Sequence, residues 1–321
     1  MRTQLELRSP ATANSSKKKD QLKMKVFVTG ASGFIGSAFL SELVSSGHEV
    51  VGLARSEESA SKIESVSPSV KALRGDLKDL DILKRGASES EAVVHLGFIH
   101  DFTNYAQCCE IDRQATVAML ESLKGTNKPF IYTNGTLVLR PGKVANEKDT
   151  VDESSKCLRA ATEETALSYK DKGVSVRCIR LAPSVHGKGD KGFVPVLTSI
   201  AQISGKSGYV GDGQIVWPAI HRSDAARLFR LVLEKGRAGK AYNGIAEQGI
   251  PLKDIAQLIG EIVNVPVVSI PEDDAEKHFG FMALFATKDG PISSEATQEE
   301  LGWKPQQLGL LEDVRINYRP T

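Results

Sequence analysis

Short apolar runs alternate with longer amphipathic segments over about the first 180 residues of the chain. The runs are rich in Val, Ile and Phe, which favours buried strands, and the segments between them repeat apolar residues at helical spacing. We predict strands at 25–28, 49–54, 70–73, 92–96, 129–133 and 174–181, and helices around 34–44, 57–65, 78–87, 104–124 and 157–172. This alternation indicates a parallel sheet with helices on both faces, which is a doubly wound α/β domain.

The remainder of the chain, beyond about residue 183, follows a less regular pattern. Helices are predicted near 193–204, 222–235 and 251–264, and short strands near 207–210 and 214–220. Mixed sequence with many turn-forming residues follows the last of these helices. We therefore expect a smaller mixed lobe beside the large sheet, where a substrate pocket would be built.

The segment KVFVTGASGFIG at 25–36 places a glycine-rich turn between a predicted strand and a predicted helix. Gly30 permits the turn, Gly33 lets the backbone approach a pyrophosphate, and Gly36 lets the helix pack closely on the strand. The N-terminus of the helix presents free N–H groups and the positive end of its dipole to phosphates. This pattern predicts a dinucleotide cofactor.

Composition and charge restrict the classes of partner. The chain of 321 residues is 40% hydrophobic and 25% charged, which is typical of soluble globular proteins. Its net charge of +1 argues against nucleic acid or an anionic membrane as a main partner, and no apolar run approaches the roughly 18 residues of a membrane span. The four cysteines lack metal-ligand spacing, so we expect reduced thiols, no metal site and a cytoplasmic protein.

Residues 1–23 contain Ser, Thr and a lysine triplet and lack apolar periodicity. We expect a disordered leader, with a targeting segment or a basic interaction arm as the alternative; Glu6 and Asp20 count against the targeting segment. The sequence thus suggests three parts: the leader, a nucleotide-binding domain at 24–183, and a mainly substrate-binding lobe at 184–321.

Five ordered motifs resemble those of the extended short-chain dehydrogenase/reductases, the NAD(P)-dependent epimerase/dehydratase-like superfamily. They are VTGASGFIG at 28–36, GDL at 75–77, VVHLGF at 93–98, RLAPSVHG at 180–187 and PAIHRSD at 218–224. The resemblance runs from Met24 to about residue 303 and implies a Rossmann fold. It also implies a cofactor site formed by Gly30, Ser32, Gly33, Phe34, Ile35, Gly36, Asp76, Leu77, Leu96, Gly97, Phe98, Thr133, Pro183 and Val185.

The end of the second predicted strand bears on the choice between NAD and NADP. Sites that prefer NAD usually carry an acidic residue there, which holds the ribose 2′-hydroxyl. This chain has Arg55 and Ser56 instead. A guanidinium and a hydroxyl suit a 2′-phosphate, so we predict NADP, with NAD as the alternative.

The catalytic pattern of the superfamily does not carry over. Its reductases normally use Tyr-x-x-x-Lys, and none of the six tyrosines here has a lysine four residues on. The tyrosine position falls on Lys156 and the lysine position on Ala160. The serine position falls on Gly135, and the helical asparagine position on Asp112. The chain therefore looks like an atypical member that keeps the nucleotide site and lacks the standard catalytic groups.

Reduction of a carbonyl still requires a proton donor and a polar group at the developing oxyanion. We predict that Thr136 replaces the missing serine, and that the loop after the fourth strand supplies His100 and Tyr105. A cation such as Lys156 or Arg159 would lower the pKa of Tyr105. The same residues equally fit a structural loop in which the histidine is a surface residue and the tyrosine only packs.

We predict an NADPH-dependent oxidoreductase that reduces a small aldehyde or ketone with a non-standard proton donor. One alternative is a protein that senses NADP(H) without turning it over, which the loss of the catalytic groups favours. A sugar-nucleotide epimerase or dehydratase ranks lower, because its chemistry relies on the missing Tyr–Lys pair. A homodimer through the helices near 104–124 and 157–172 would fit the superfamily.

Overall fold

The computed structural model describes residues 23–139, 143–151 and 158–318. Its strands are β1 (Lys25–Thr29), β2 (Glu49–Ala54), β3 (Val70–Arg74), β4 (Ala92–His95), β5 (Pro129–Gly135), β6 (Ser175–Leu181), β7 (Ser184–His186), β8 (Ser207–Val210), β9 (Val216–His221), β10 (Lys240–Gly244), β11 (Glu247–Pro251) and β12 (Val267–Ile270). Its helices are α1 (Phe34–Ser45), α2 (Glu57–Glu64), α3 (Leu80–Ser88), α4 (Tyr105–Ser122), α5 (Leu158–Ser168), α6 (Phe193–Ser204), α7 (Arg222–Lys235), α8 (Leu252–Val263), α9 (Ala275–Phe279), α10 (Ala283–Ala286), α11 (Glu295–Leu301) and α12 (Leu310–Asn317).

Seven parallel strands form the large sheet, in the order β10-β6-β5-β4-β1-β2-β3. The inner strand β1 shows why both faces are covered. Val26, Phe27 and Val28 are all fully buried, and the two valines join one apolar cluster while Phe27 joins the other. Since successive side chains of a strand point to opposite faces, helices must cover both sides. This confirms the predicted doubly wound parallel sheet.

The smaller lobe contains the three-stranded sheet β11-β9-β7 and the two-stranded sheet β12-β8. The pair β7–β9 is parallel and the pair β9–β11 antiparallel, so the predicted mixed lobe is present. Its own core includes Trp217, Phe279, Met282 and Leu310. Across the residues that the structure describes, no helix combines the length and the apolar character that crossing a membrane would require.

The segment after residue 183 also completes the large sheet. Strand β10 pairs with β6, and α7 packs against α1, with the Phe39 and Phe229 rings 5.6 Å apart. The predicted division at residue 183 therefore does not follow the sheet. Strand β10 was missed because its sequence, KAYNG, contains no apolar run and ends in glycine.

Candidate functional site

The glycine-rich turn after β1 leaves no room for side chains at two positions. Gly30 has φ +68°, and a Cβ there would lie 2.8 Å from the backbone of Leu96 and Gly97. A Cβ at Gly36 would lie 2.1 Å from the Gly30 carbonyl oxygen. Glycine is therefore required at both positions, which brings β1, β4 and α1 into close contact.

The N-terminus of α1 fits a phosphate group. Its cap residue, Gly33, has no side chain to satisfy the free N–H groups, and no acidic residue lies in the first turn, which starts at Phe34 and Ile35. A Cβ at Gly33 would meet only the Gly30 carbonyl group, so space remains open in front of the helix. Half-buried Ser32 precedes it. Free donors, open space and a positive dipole end are what a pyrophosphate needs.

The carboxyl end of β4 forms the adjoining wall. The Gly97 N–H donates a 3.0 Å hydrogen bond to Thr29 Oγ1, and a Cβ at Gly97 would lie 3.1 Å from Leu77 Cδ2. The structure thus brings three predicted cofactor residues together: Gly30, Leu77 and Gly97. Half-buried Asp76 lies beside Leu77, where one of its carboxylate oxygens accepts from the Lys78 N–H at 3.0 Å.

The end of β2 carries the two residues predicted to select NADP. Arg55 is exposed, and no residue in the described part of the chain pairs with it. Ser56 caps α2 and forms a reciprocal capping box with Ser59. A second arginine lies close by: Arg74, on the neighbouring strand, is opposite Ala54 and forms a 3.2 Å ion pair with Glu57.

A buried polar network lies beneath the carboxyl ends of β4 and β5. Asp112 accepts a 2.7 Å hydrogen bond from the Tyr132 hydroxyl, and its other oxygen lies 3.2 Å from His95 Nε2. His95 Nδ1 lies 2.5 Å from Thr29 Oγ1. Burial alone would raise the pKa of Asp112, but the close approach of His95 and the charge of Arg159 hold it below its usual range. Burial raises the pKa of Tyr132 well above normal.

Arg159, in the first turn of α5, brings a positive charge to this edge of the sheet. It donates a 2.5 Å hydrogen bond to the Thr133 carbonyl oxygen, and its guanidinium carbon lies 4.3 Å from the centre of the Phe98 ring. Its Nε lies 3.9 Å from Asp112 Oδ2 and makes no hydrogen bond within the described part of the chain. Burial favours the neutral guanidine, but Tyr132 and Asp112 outweigh it and raise the pKa of Arg159.

Two buried hydroxyl groups at the carboxyl end of β5 have no hydrogen-bond partner among the described residues. Within the described ranges, neither Thr133 Oγ1 nor Thr136 Oγ1 makes a hydrogen bond. Thr136 is 3% exposed and opens the short 3-10 turn Thr136–Val138 directly after β5. A buried hydroxyl without a partner costs free energy, so a polar ligand atom would be stabilised there. Lys156, the other predicted catalytic residue of this region, lies outside the described residues.

The loop after β4 is held by Asp101, which accepts from the Thr103 N–H at 3.0 Å and from Asn104 Nδ2 at 2.8 Å. His100 is exposed, and its ring meets Phe98 edge-on at 5.2 Å. Partial desolvation, followed by the charge of Arg159, lowers the pKa of His100. Half-buried Tyr105 begins α4 and interacts electrostatically with Arg159.

The two predicted residues after β6 lie where the chain enters the small lobe. Pro183 and Val185 are half-buried, and Val185 is opposite Ile220 in the β7–β9 pair. The neighbouring His186 is tied down by a 2.8 Å bond from its Nδ1 to Asp313 on α12. This histidine therefore links the two ends of the small lobe.

Sequence reasoning missed most of the buried network. Asp112 was identified only as the occupant of the asparagine position, and Arg159 only as a possible neighbour of Tyr105. His95 and Tyr132 lie within apolar strands, and no role in the site was predicted for them. One signal was available: His95 and Tyr132 are polar residues inside runs otherwise built of apolar residues, and buried polar groups need partners.

The family model described as the NAD dependent epimerase/dehydratase family matches residues 26–244. An uncharacterized protein of Saccharomyces cerevisiae is 72% identical over 295 residues, covering 92% of this chain and 99% of that protein. Another uncharacterized protein, of Schizosaccharomyces pombe, is 45% identical over 294 residues, covering 91% of this chain and 98% of that protein.

More distant matches carry names of reactions. The 2-alkyl-3-oxoalkanoate reductase of Stenotrophomonas maltophilia is 26% identical over 263 residues, which is 76% of this chain and 77% of that protein. The dTDP-glucose 4,6-dehydratase from Streptomyces venezuelae, solved with NAD and TYD bound, has the same fold at 19% identity. Its TM-score is 0.73, with 92% of this chain and 95% of that chain covered. The chain therefore belongs to the NAD dependent epimerase/dehydratase family, as an atypical member without Tyr-x-x-x-Lys.

Proposed function

We propose that this chain reduces a carbonyl compound with hydride from NADPH, and that Arg159 stabilises the oxygen on which negative charge develops. The position of the guanidinium supports this most. The Thr133 carbonyl oxygen and the Phe98 ring fix it at the carboxyl ends of β4 and β5, the edge at which doubly wound sheets bind their ligands. The reductase name of the Stenotrophomonas relative also favours carbonyl reduction.

Carbonyl reduction adds a hydride to carbon and a proton to oxygen, so the chain must hold the oxygen and deliver the proton. Bound NADPH would supply the hydride. Arg159 stays charged at physiological pH and would act as a hydrogen-bond donor to the oxygen, not as an acid. The unpartnered hydroxyl of Thr136 would give the oxygen a second hydrogen bond. Tyr105 would deliver the proton, because the nearby Arg159 stabilises the phenolate left behind.

The preference for NADPH over NADH rests on the end of β2. Exposed Arg55 has no partner in the described part of the chain, so its guanidinium can bind a 2′-phosphate. Arg74 on the adjacent strand adds a second positive charge, partly balanced by Glu57. The Ser56 hydroxyl is engaged with Ser59 in capping α2, so Arg55 would contribute most of the selectivity.

Two other functions remain as alternatives, and each has its own signature. An epimerase or dehydratase would keep its nucleotide through the reaction and would leave NADPH unconsumed while it converted a sugar nucleotide. A protein that only senses NADP(H) would bind the nucleotide tightly and convert neither class of substrate.

The proposal is tested by following NADPH absorbance while the purified chain is mixed with a panel of aldehydes and ketones, with NADH in parallel. Arg159→Met keeps most of the side-chain volume and removes the charge. We expect it to lower kcat/KM by about 10²- to 10³-fold, the usual cost of losing an oxyanion donor. The dissociation constant for NADPH should stay within about threefold, because Arg159 is placed at the substrate oxygen.

Arg113→Met is the matched control, because Arg113 is an exposed arginine on α4 that pairs only with Glu110 among the described residues. It should behave as the wild type. Full activity of Arg159→Met would contradict the role given to Arg159. Absence of NADPH consumption with every carbonyl, together with tight NADPH binding, would replace the reductase by the sensor.

A further inference from the structure

Aromatic rings are concentrated around the loop that follows β4. Five of the 11 phenylalanines of the chain belong to one group of rings, joined by His100 and Tyr105. The five are Phe98, Phe102, Phe193, Phe281 and Phe285. None of them is fully buried, and Phe281 is 41% exposed. Large apolar side chains that stay partly exposed as a group are characteristic of binding surfaces.

The group joins the two lobes and reaches the proposed reaction centre. It begins at Phe98, whose face contacts the Arg159 guanidinium at 4.3 Å. It continues through Phe102 to the small lobe, where Phe193 lies 4.7 Å from Phe285 and 5.6 Å from Trp217. We call this group of rings the aromatic wall. Its Phe98 end contacts the Arg159 cation, and its Phe193 end packs against the core of the small lobe.

Three rings in the wall are nearly parallel. Tyr105 and Phe102 are inclined by 14° with centroids 6.1 Å apart, and Phe102 and Phe281 by 13° with centroids 4.9 Å apart. The row runs from the proposed proton donor, Tyr105, to the exposed ring of Phe281. The faces inside the row are occupied by these contacts, so a flat ligand ring would pack against the edges of the row and the adjoining Phe98 ring, where an aromatic contact gains more than an aliphatic group of equal size.

Among the residues that the structure describes, Arg159 is the cation that lies over a ring of this group. His100 is the titratable group on the wall nearest to Phe98, and its lowered pKa keeps it neutral at pH 7. Asp101 is turned to the Thr103 and Asn104 side chains, which occupy both carboxylate oxygens. The Arg159 guanidinium therefore supplies a positive charge beside Phe98, where the proposed function places the carbonyl oxygen.

We propose that the substrate is an aryl aldehyde or aryl ketone, whose aromatic ring packs against the rings of Phe98, Tyr105 and Phe102 while its carbonyl oxygen meets Arg159. This inference rests on the proposed reductase function and adds the class of substrate. Phe102 is the specificity-determining residue, since it lies between Tyr105 and Phe281 and fixes the positions of both rings.

The test compares benzaldehyde with cyclohexanecarbaldehyde, which differ in the flatness of the ring and little in size. Because the two aldehydes differ in intrinsic reactivity, the informative quantity is the change in their kcat/KM ratio between variants. Phe102→Leu should reduce the preference for benzaldehyde by about three- to tenfold, as expected for the loss of an aromatic pair. Phe281→Leu, at an exposed position that tolerates substitution, should reduce it in the same direction.

Leu284→Ala is the control, because Leu284 is 66% exposed on α10 and lies outside the ring contacts. It should leave the ratio unchanged. Thermal denaturation shows whether each variant is folded. An unchanged ratio in both phenylalanine variants would overturn the inference while leaving carbonyl reduction intact.

If NADPH is consumed with neither aldehyde, the proposed function fails. The binding of two alcohols then tests the preference for an aromatic ligand by itself. Benzyl alcohol and cyclohexylmethanol are then titrated into the protein with NADP present, and heats of binding are recorded. Tighter binding of benzyl alcohol that Phe102→Leu abolishes would support an aromatic ligand. Equal binding of the two alcohols, or binding of neither, would overturn it.

Discussion

The Tyr132 hydroxyl donates a 2.7 Å hydrogen bond to Asp112, and both side chains are buried beneath the cleft. Tyr132 lies in β5 and Asp112 in α4, so the bond ties the sheet to a helix that covers it. The same carboxylate lies next to His95 and Arg159. One buried negative charge thereby holds the cation of the cleft in place.

Tyr132→Phe should lower the free energy of unfolding by about 1–3 kcal/mol, because it leaves the buried Asp112 carboxylate without its hydroxyl donor. Urea denaturation followed by circular dichroism measures the change. Tyr209→Phe is the matched control, since Tyr209 is half-buried and no hydrogen bond of its hydroxyl is found among the described residues. Equal stability of Tyr132→Phe and the wild type would show that the hydrogen bond contributes little.

Asp112→Asn should change how stability depends on pH. The pKa of Asp112 in the folded protein is below its usual range, so the unfolded chain takes up the proton first as the pH falls. The stabilisation from Asp112 is therefore present above about pH 4 and is lost as the pH falls further. Urea midpoints measured at several values between about pH 3 and pH 7 should fall less steeply for Asp112→Asn than for the wild type. Parallel curves would mean that this carboxylate does not carry the acid sensitivity.

Gly36→Ala should abolish nucleotide binding or prevent folding. A methyl group at position 36 would lie 2.1 Å from the Gly30 carbonyl oxygen, so α1 must move away from the glycine turn. Overpacking of this kind costs about 1–3 kcal/mol where the neighbours can move, and more where they are backbone. Fluorescence titration with NADPH, combined with thermal denaturation, separates the two outcomes. Gly290→Ala is the control, because a Cβ there meets nothing within 4 Å.

The large sheet was predictable because its strands are short apolar runs between helical segments. Strands β1 to β6 lie within a residue or two of the predicted ranges, since burial on both faces demands uninterrupted apolar sequence. Strand β10 lies at the edge of the sheet and needs less apolar sequence, so it was missed. Its pairing with β6 joins residues far apart in the chain, which no local pattern reveals.

The two parts of the candidate site differ in how well the sequence predicts them. The glycine turn is local, so Gly30, Gly33 and Gly36 could be predicted from their spacing between a predicted strand and a predicted helix. The cation site is not local: Arg159 reaches Phe98 and the Thr133 carbonyl oxygen only because α5 packs against β5 and β6. Contacts of this kind depend on tertiary packing, which leaves no periodic trace in the sequence.

Arg55→Asp should weaken NADPH binding by more than tenfold, because it puts a negative charge where the 2′-phosphate is proposed to bind. NADH binding should change by less than about threefold or improve, since aspartate suits a free 2′-hydroxyl. Parallel fluorescence titrations with the two nucleotides measure the ratio. Arg113→Asp, a distant charge reversal on α4, should leave it unchanged. Equal losses for NADPH and NADH would contradict phosphate recognition by Arg55.

Tyr105 and His100 compete as proton donor, and their surroundings favour the tyrosine. Tyr105 interacts with the charge of Arg159, whereas that charge and partial burial lower the pKa of His100. A histidine that is neutral at pH 7 holds no ring proton acidic enough to give away readily. We therefore expect Tyr105→Phe to lower kcat by about 10²- to 10⁴-fold, and His100→Gln by less than about threefold.

The pH profile of kcat/KM gives an independent readout for the same pair. If Tyr105 is the donor, kcat/KM falls at alkaline pH as the phenol ionises. The pH profile of His100→Gln should then match that of the wild type near pH 7. Because the Arg159 charge stabilises the phenolate, Arg159→Met should move this alkaline limb to higher pH in whatever activity remains. If the limb stays in place in Arg159→Met and disappears in His100→Gln, the proton comes from the histidine, and the cation acts on the substrate oxygen alone.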